Sequence, residues 1–168
     1  MTEKVKLNNG FEMPGVGLGV FRMDNDEDTQ IVIEKALATG YRHIDTAAYY
    51  DNEEAVGKAI KNAGIPREEV FVTTKVWNED QRKGTVMHAF EDSLKKLGMD
   101  YVDLYLIHWP VANQFKETWK VFEAIYKSGR AKAIGVSNFK KHHLEELKEV
   151  MTIPPAVNQI ELHPYLIQ

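Results

Sequence analysis

The sequence predicts an α/β fold in which parallel strands alternate with helices, as in a (β/α)8 barrel of the TIM type. Short apolar runs alternate with segments of helical period, and several of the runs end on a polar residue. Because the carboxyl ends of parallel strands meet at one mouth of a barrel, these polar residues are expected to form a site there. The five runs that end in this way are residues 41–45, 70–75, 102–108, 133–138 and 156–161.

The amino-terminal segment predicts a small antiparallel hairpin that caps the barrel. Residues 4–13 alternate apolar with polar side chains around Asn9 and Gly10, and this dipeptide is a strong hairpin signal. The first barrel strand is expected at residues 16–20. We therefore expect six strands and at least five helices. Nothing resembles a linker, so residues 1–168 are expected to form a single domain.

Four segments carry an apolar stripe at helical spacing. The stripes are Ala55, Val56, Ala59, Ile60 and Ala63; Val86, Phe90, Leu94 and Leu97; Phe115, Trp119, Phe122 and Tyr126; and Leu144, Leu147 and Met151. Glycines fall just past helical segments and shortly before strands, where a left-handed residue commonly ends a helix. These glycines are Gly40, Gly64, Gly98 and Gly129.

An open doubly wound sheet is the other architecture that fits alternating strands and helices. Its nucleotide-binding members carry a glycine-rich turn between the first strand and a helix. Gly15, Gly17 and Gly19 have the wrong spacing for that turn and lie within the strand. The carboxylates between Asp24 and Asp28 would also lie where a pyrophosphate binds. The barrel is therefore favoured.

Composition excludes several classes of function. The formal net charge of −4 gives no basic surface for nucleic acid or for an anionic membrane. The chain has no cysteine, so thiolate catalysis, disulfides and zinc–thiolate sites are excluded. No stretch approaches the ~20 apolar residues that a membrane-spanning helix needs. We expect a cytoplasmic protein without a signal segment.

Three of the strand ends carry groups suited to acid–base chemistry. Lys75 ends one buried run, and a buried ammonium needs a carboxylate partner, for which Asp45 on the neighbouring strand is the candidate. His108 ends the next run and is better explained by catalysis than by packing. Tyr49 and Tyr50 follow Asp45 in a loop. A nearby ammonium favours a phenolate, so one of them could serve as a general acid, although the residues alone do not say which.

Five segments resemble motifs of the aldo-keto reductases, in the same order along the chain. They are residues 43–53, 71–75, 106–110, 135–139 and 157–165. The resemblance implies a (β/α)8 barrel, NADPH as the cofactor, and reversible reduction of a small carbonyl compound to an alcohol. It implies a catalytic tetrad of Asp45, Tyr50, Lys75 and His108, which selects Tyr50 over Tyr49.

The resemblance also implies the cofactor and substrate contacts. Ser137, Asn138 and Gln159 match positions that hold the nicotinamide carboxamide. Phe21, Trp77 and Trp109, together with His108, would line an aromatic substrate pocket. No metal site is implied.

The sequence departs from the family pattern after the sixth strand. The barrel of the family has eight strands, so the chain is expected to be a truncated barrel that lacks two βα units. Those units supply the aromatic residue that stacks on the nicotinamide and the residues that hold the 2′-phosphate. The isolated chain is therefore expected to bind NADPH weakly and to have little activity. Open strand edges would also favour self-association.

Two other functions remain compatible with the residues alone. The first is a metal-dependent hydrolase on the same barrel, with ligands drawn from His43, Asp45, Lys75, His108 and His163. The aromatic residues and Tyr50 argue against it. The second is a non-catalytic scaffold or regulatory barrel. A complete tetrad argues against that function only weakly. His142 and His143 are expected to face solvent, and His163 to begin a loop.

Overall fold

The structure, a computed structural model, describes residues 3–168. Its strands are β1 (Lys4–Lys6), β2 (Glu12–Pro14), β3 (Leu18–Gly19), β4 (His43–Asp45), β5 (Phe71–Val76), β6 (Val102–Ile107), β7 (Ala131–Ser137) and β8 (Asn158–Gln159). Its α-helices are α1 (Glu27–Ala38), α2 (Glu53–Asn62), α3 (Asn78–Lys83), α4 (Val86–Leu97), α5 (Phe115–Lys127) and α6 (Lys141–Lys148).

Strands β3 to β8 form one sheet in chain order, and every neighbouring pair is parallel. A helix or a helical turn lies between each strand and the next. This order confirms the predicted (β/α) barrel type, with six of its strands in the described part of the chain. The outer strands of the sheet are β3 and β8. Within residues 3–168, every helix is too short or too polar to span a bilayer.

The predicted hairpin is also confirmed. Strands β1 and β2 pair antiparallel across the turn that contains Gly10, whose φ is +86°. The side chain of Asn9 donates a hydrogen bond to the carbonyl of Lys132, just inside β7. Leu7 packs against the inner face of the sheet at Leu104 and Leu106. The hairpin therefore closes the end of the sheet opposite the polar strand ends.

Side chains alternate between the two faces of each strand. On β6, Leu104 and Leu106 lie in the inner cluster, whereas Tyr105 and Ile107 pack in the larger core against the helices. This larger core is built from the apolar stripes of the helices, including Val56, Phe90 and Trp119 and their neighbours. The next inward-facing position after Leu106 is 108, so the alternation alone directs His108 toward the mouth.

The helix ends follow the sequence prediction. The four predicted glycines all have a positive φ, between 64° at Gly98 and 104° at Gly40. The stripe of Leu144, Leu147 and Met151 predicts a helix that reaches Met151, but α6 ends at Lys148 and Met151 lies in the following loop. The strand predicted over residues 156–161 is also shorter than expected, since only Asn158 and Gln159 pair with β7.

Contact between α2 and α4 depends on a glycine. A Cβ atom at Gly57 would collide with the backbone carbonyl of Leu97, which cannot move without displacing α4. We expect Gly57→Ala to lower the free energy of unfolding by about 2 kcal/mol, measured by urea denaturation. Gly19→Ala is the matched control, because nothing lies within 4 Å of that added methyl group. Equal stability of the two variants would contradict this account of the helix contact.

Candidate active site

The candidate site lies at the carboxyl ends of β4 to β8. In the sheet register, Asp45 is opposite Thr73, and Lys75 is opposite Leu106. These positions face the inside of the sheet, because they alternate with residues that pack against the helices. The register therefore places Lys75 one inward-facing layer beyond Asp45, toward the carboxyl ends of the strands.

Lys75 is the most deeply buried charge of the site, with 1% of its surface exposed. Its Nζ donates to Asp45 Oδ1 at 2.5 Å and to the carbonyl oxygen of Thr46 at 2.8 Å. It also lies 3.4 Å from the phenol oxygen of Tyr50, which accepts a longer hydrogen bond. The predicted lysine–aspartate pair is therefore present, and Tyr50 is the tyrosine that the ammonium contacts.

Ser137, Asn138 and Gln159 lie together beside this pair. Ser137 Oγ donates to the carbonyl of Gln159 at 2.9 Å, and Asn138 Nδ2 donates to Ser137 Oγ at 3.1 Å. Asn138 also donates to the carbonyl of His108 at 3.0 Å and has a left-handed φ of 61°. Gln159 Nε2 donates to Asp45 Oδ2 at 2.8 Å. The amide of Gln159 is thus joined directly to the charged pair, and Asn138 is linked to Gln159 through Ser137.

His108 follows β6 directly and is buried. Its ring meets the ring of Tyr50 edge-on, with the centroids 5.6 Å apart, and its Nδ1 atom is buried without a hydrogen-bond partner. Burial, followed by the charge of Lys75, lowers the pKa of His108 from 6.5 to about 4, although Asp45 opposes this shift. The imidazole is therefore neutral at pH 7 and has an unused polar atom.

Aromatic side chains surround the opening. Phe21 packs on Tyr50 at 5.0 Å between ring centroids, and Tyr49 stacks on Trp77 at 3.8 Å. Trp77 in turn meets His108 edge-on at 5.1 Å. Phe21 is 55% exposed, so its ring forms an open wall and is not part of the core. The predicted pocket residues Phe21 and Trp77 therefore border the tetrad directly.

Trp109 is 47% exposed and follows His108 at the rim. Its backbone carbonyl accepts a hydrogen bond from Gln81 Nε2 at 3.0 Å, and Gln81 itself is buried. Gln81 was not predicted to matter, because a glutamine in a charged helix gives no sequence signal. Asn52 was missed as well. Asn52 precedes Glu53 and Glu54, and an asparagine at such a position is commonly explained as a helix N-cap. The sequence therefore gives no sign that its side chain has other contacts.

Three histidines proposed or placed from sequence lie away from the tetrad. His43 is buried one layer deeper, where it hydrogen-bonds Thr73 Oγ1 at 2.9 Å and packs on Phe71. His163 lies in the segment after β8 and contacts Glu161. His143 was wrongly expected to face solvent, since it is half-buried against Phe115 and Phe139.

The structure does not assemble the ligands of the hydrolase hypothesis. Among residues 3–168, no three His, Asp or Glu side chains lie close enough together to hold a metal ion. Lys75, another suggested ligand, instead uses its ammonium group to contact Asp45 and Thr46.

Stability should depend on pH through the buried histidines. The pKa of His108 is lowered to about 4, and burial lowers the pKa of His43 as well. The unfolded chain therefore takes up protons first as the pH falls, so the stability that these two histidines contribute is fully present above about pH 6.5 and is lost as the pH falls toward about 4. For His108 alone the loss is about 3 kcal/mol.

The measurement is urea unfolding at about pH 7.5 and about pH 4.5. His108→Gln should lose much less stability between these two conditions than the unmodified chain. His88→Gln, a substitution on the exposed face of α4, is the control and should keep most of the dependence. An unchanged dependence in His108→Gln would contradict the assignment.

The parallel sheet and the polar cluster at its carboxyl ends define a barrel protein with its site at the usual mouth. Residues 15–168 match the aldo/keto reductase family. The chain belongs to this family.

Similar proteins include reductases of small carbonyl compounds. A glyoxal reductase of Bacillus subtilis (strain 168) is 54% identical over 168 residues, which are 100% of this chain and 61% of that protein. A methylglyoxal reductase of Escherichia coli (strain K12) is 51% identical over 166 residues, covering 98% of this chain and 59% of that protein. The chain therefore spans about three fifths of the length of these curated relatives.

Solved structures agree with the fold. An aldo/keto reductase from Brucella melitensis is 51% identical with a TM-score of 0.93, and the match covers 98% of this chain and 64% of that one. An aldo-keto reductase of Bombyx mori, solved in complex with NADP, is 41% identical with a TM-score of 0.89. That match covers 96% of this chain and 58% of the other. The six-stranded sheet is therefore part of an aldo-keto reductase barrel.

Proposed function

We propose that this chain carries the catalytic groups of an NADPH-dependent reductase that converts small aldehydes and ketones to alcohols. The observation that carries the proposal is the contact of one buried ammonium, Lys75, with both Asp45 and Tyr50. A phenol beside an ammonium is suited to give up a proton, because the positive charge stabilises the phenolate. Relatives named as glyoxal and methylglyoxal reductases support the reaction class.

In this mechanism Tyr50 is the general acid. Its hydroxyl gives a proton to the carbonyl oxygen as negative charge develops there, and NADPH, when bound, supplies the hydride to the carbonyl carbon. Lys75 stabilises the phenolate that remains. Asp45 holds the ammonium in place, and its second oxygen is held by Gln159. Each group thus has a partner that fixes its orientation.

His108 orients the substrate in this proposal. The ring is neutral at pH 7 and adds no second charge beside Lys75. A neutral imidazole has one N–H donor, which suits a carbonyl oxygen placed between His108 and Tyr50. The two rings meet edge-on with 5.6 Å between their centroids, which keeps His108 next to the proposed general acid.

Ser137, Asn138 and Gln159 fit the nicotinamide carboxamide by their chemistry. A carboxamide donates and accepts hydrogen bonds, and a hydroxyl and two amides can do both. The three side chains are already connected, directly or through backbone atoms, at distances between 2.9 and 3.1 Å. They would place the ring beside Tyr50, because Gln159 also contacts Asp45.

The aromatic wall supports small, flat substrates. Phe21 packs on Tyr50, Trp77 meets His108 edge-on, and Tyr49 stacks on Trp77. Trp109 follows His108 and is exposed. Glyoxal and methylglyoxal are named as substrates of two relatives, so small dicarbonyl compounds are the first candidates to test.

The proposal is tested with two forms of the protein. One is the 168-residue chain. The other, called here the extended chain, is joined to the part of the Bacillus subtilis glyoxal reductase that continues past the matched region. We expect the extended chain to oxidise NADPH when methylglyoxal is added, followed by the loss of absorbance at about 340 nm and by product analysis. The 168-residue chain should bind NADPH more weakly and reduce slowly. An extended chain that folds and binds NADPH but reduces no aldehyde would refute the proposal.

A further inference from the structure

Asn52 is a fully buried amide that joins two loops of the site. Its Nδ2 atom donates to the carbonyl of Val20 at 2.9 Å and to the carbonyl of Met23 at 2.8 Å. Its Oδ1 atom accepts a hydrogen bond from Thr46 Oγ1 at 2.6 Å. Both amide protons and the amide oxygen are therefore used in bonds to other parts of the protein.

The turn that Asn52 holds has an unfavourable backbone. Arg22 has a φ of 65°, in the left-handed region that is unfavourable for a residue with a side chain. The turn is closed by a hydrogen bond from the amide of Met23 to the carbonyl of Val20. The carbonyl of Val20 therefore accepts hydrogen bonds from both the Met23 amide and Asn52, and the carbonyl of Met23 accepts one from Asn52. The buried amide is thus the group that offsets the strain of the turn.

This turn carries the Phe21 wall of the pocket. Phe21 packs on Tyr50 with 5.0 Å between ring centroids. The amide oxygen of Asn52 accepts a hydrogen bond from the hydroxyl of Thr46. The backbone carbonyl of Thr46 in turn accepts a hydrogen bond from Lys75. One side chain therefore connects the wall of the pocket to the residue that contacts the central ammonium.

Helix capping does not explain this arrangement. Asn52 precedes α2, but its side chain makes no cap hydrogen bond. The first turn of α2 is instead capped from outside by Asn25, whose Oδ1 accepts from the amide of Ala55 at 2.9 Å. The side chain that caps the amino-terminal end of α2 is therefore Asn25 and not Asn52.

We propose that Asn52 is a positioning residue that sets the Phe21 wall against Tyr50 and thereby determines how tightly bulky carbonyl substrates bind. This inference rests on the proposed reductase function for its kinetic part. Its structural part, that the Asn52 amide stabilises the strained 20–23 turn in addition to the hydrogen bond from the Met23 amide to the Val20 carbonyl, is independent of any activity.

The decisive variant is Asn52→Asp. A carboxylate still accepts from Thr46 and suits a helix N-terminus, but it cannot donate to the carbonyls of Val20 and Met23. We expect the Met23 amide of the 168-residue chain to exchange hydrogen about tenfold faster, whereas amides of β5 and β6 keep their rates. Exchange is measured by mass spectrometry of short peptides.

Second substitutions at Arg22 distinguish a specific effect of Asn52 on the 20–23 turn from a general loss of stability. Arg22→Gly and Arg22→Ala both remove the guanidinium, but only glycine adopts the left-handed φ without strain. Added to Asn52→Asp, the glycine substitution should restore slow exchange at Met23, and the alanine substitution should not. Unchanged Met23 exchange in Asn52→Asp, or an equal rise across β4 to β6, would overturn the inference.

The kinetic arm compares phenylglyoxal with methylglyoxal in the extended chain. Asn52→Asp should raise KM for phenylglyoxal about tenfold, with kcat changed less than about threefold and with a smaller effect on methylglyoxal. Arg22→Gly should restore KM, and Arg22→Ala should not. A loss of kcat with KM unchanged for both substrates would overturn the proposal. If the unmodified extended chain reduces neither compound, the proposed function fails, and the exchange experiment still decides the role of Asn52.

Discussion

Replacing Tyr50 by phenylalanine is expected to lower kcat for carbonyl reduction by about a thousandfold in the extended chain. The substitution removes only the hydroxyl that lies 3.4 Å from Lys75 Nζ, and it keeps the ring that packs on Phe21. Binding of NADPH should persist, because the proposed carboxamide contacts do not involve Tyr50. Stopped-flow or steady-state oxidation of NADPH measures the rate, and fluorescence titration measures the binding.

The neighbouring tyrosine provides a matched control. Tyr49→Phe removes the same hydroxyl group one residue earlier, while the ring can still stack on Trp77. Its kcat should stay within about threefold of the unmodified value. If Tyr49→Phe lost as much activity as Tyr50→Phe, or if Tyr50→Phe kept its activity, the assignment of the general acid would be wrong.

The second large effect concerns Lys75. Lys75→Met removes the ammonium but leaves Asp45, with only 14% of its side chain exposed, without its charged partner. Breaking such a buried pair costs about 3 kcal/mol of unfolding free energy. We also expect activity to fall by at least about a hundredfold, because the group that stabilises the Tyr50 phenolate is gone.

The double variant separates these two effects. Adding Asp45→Asn to Lys75→Met removes the unpaired charge, so part of the lost stability should return in urea denaturation. Activity should not return, since the ammonium is still missing. A double variant less stable than Lys75→Met would show that Asp45 has a structural role of its own.

Three members of the proposed tetrad could be singled out from the sequence because they end strand-like runs. Alternation along β4, β5 and β6 places Asp45, Lys75 and His108 on the inner face, and the parallel order brings the same ends together. The choice of Tyr50 over Tyr49 needed the family resemblance. In the structure, the short helical turn Ala48–Tyr50 brings the Tyr50 hydroxyl to Lys75 while Tyr49 stacks outward on Trp77.

Other features could not be predicted because they depend on contacts between distant residues. Asn52 bonds carbonyls about thirty positions earlier in the chain, and Gln81 bonds the carbonyl of Trp109. A buried polar side chain has no periodic signal, unlike an apolar stripe. His43 is the reverse case, because the sequence offered it as a candidate metal ligand and the structure gives it a buried position. It shares a strand face with Asp45, but it lies one layer below, where burial and Thr73 keep it away from the mouth.

The helix boundaries show a similar contrast. Glycines marked the ends of helices because their left-handed φ is a local requirement, which the values at Gly40 and Gly129 bear out. The end of α6 has no such glycine, and the apolar stripe continued past it to Met151. There the chain is fixed by Glu123, whose carboxylate accepts hydrogen bonds from the backbone of Thr152 and Ile153. That contact is distant in sequence and left no local pattern.

The most direct test of the central claim is a single-turnover reaction of the extended chain with methylglyoxal and NADPH that carries deuterium at both hydrogen positions of the nicotinamide C4. We predict that one deuterium appears on the carbinol carbon of the product, detected by mass spectrometry. Transfer should be about a thousandfold slower in Tyr50→Phe although the cofactor remains bound. Transfer at an equal rate in Tyr50→Phe, or a product without deuterium, would contradict the account.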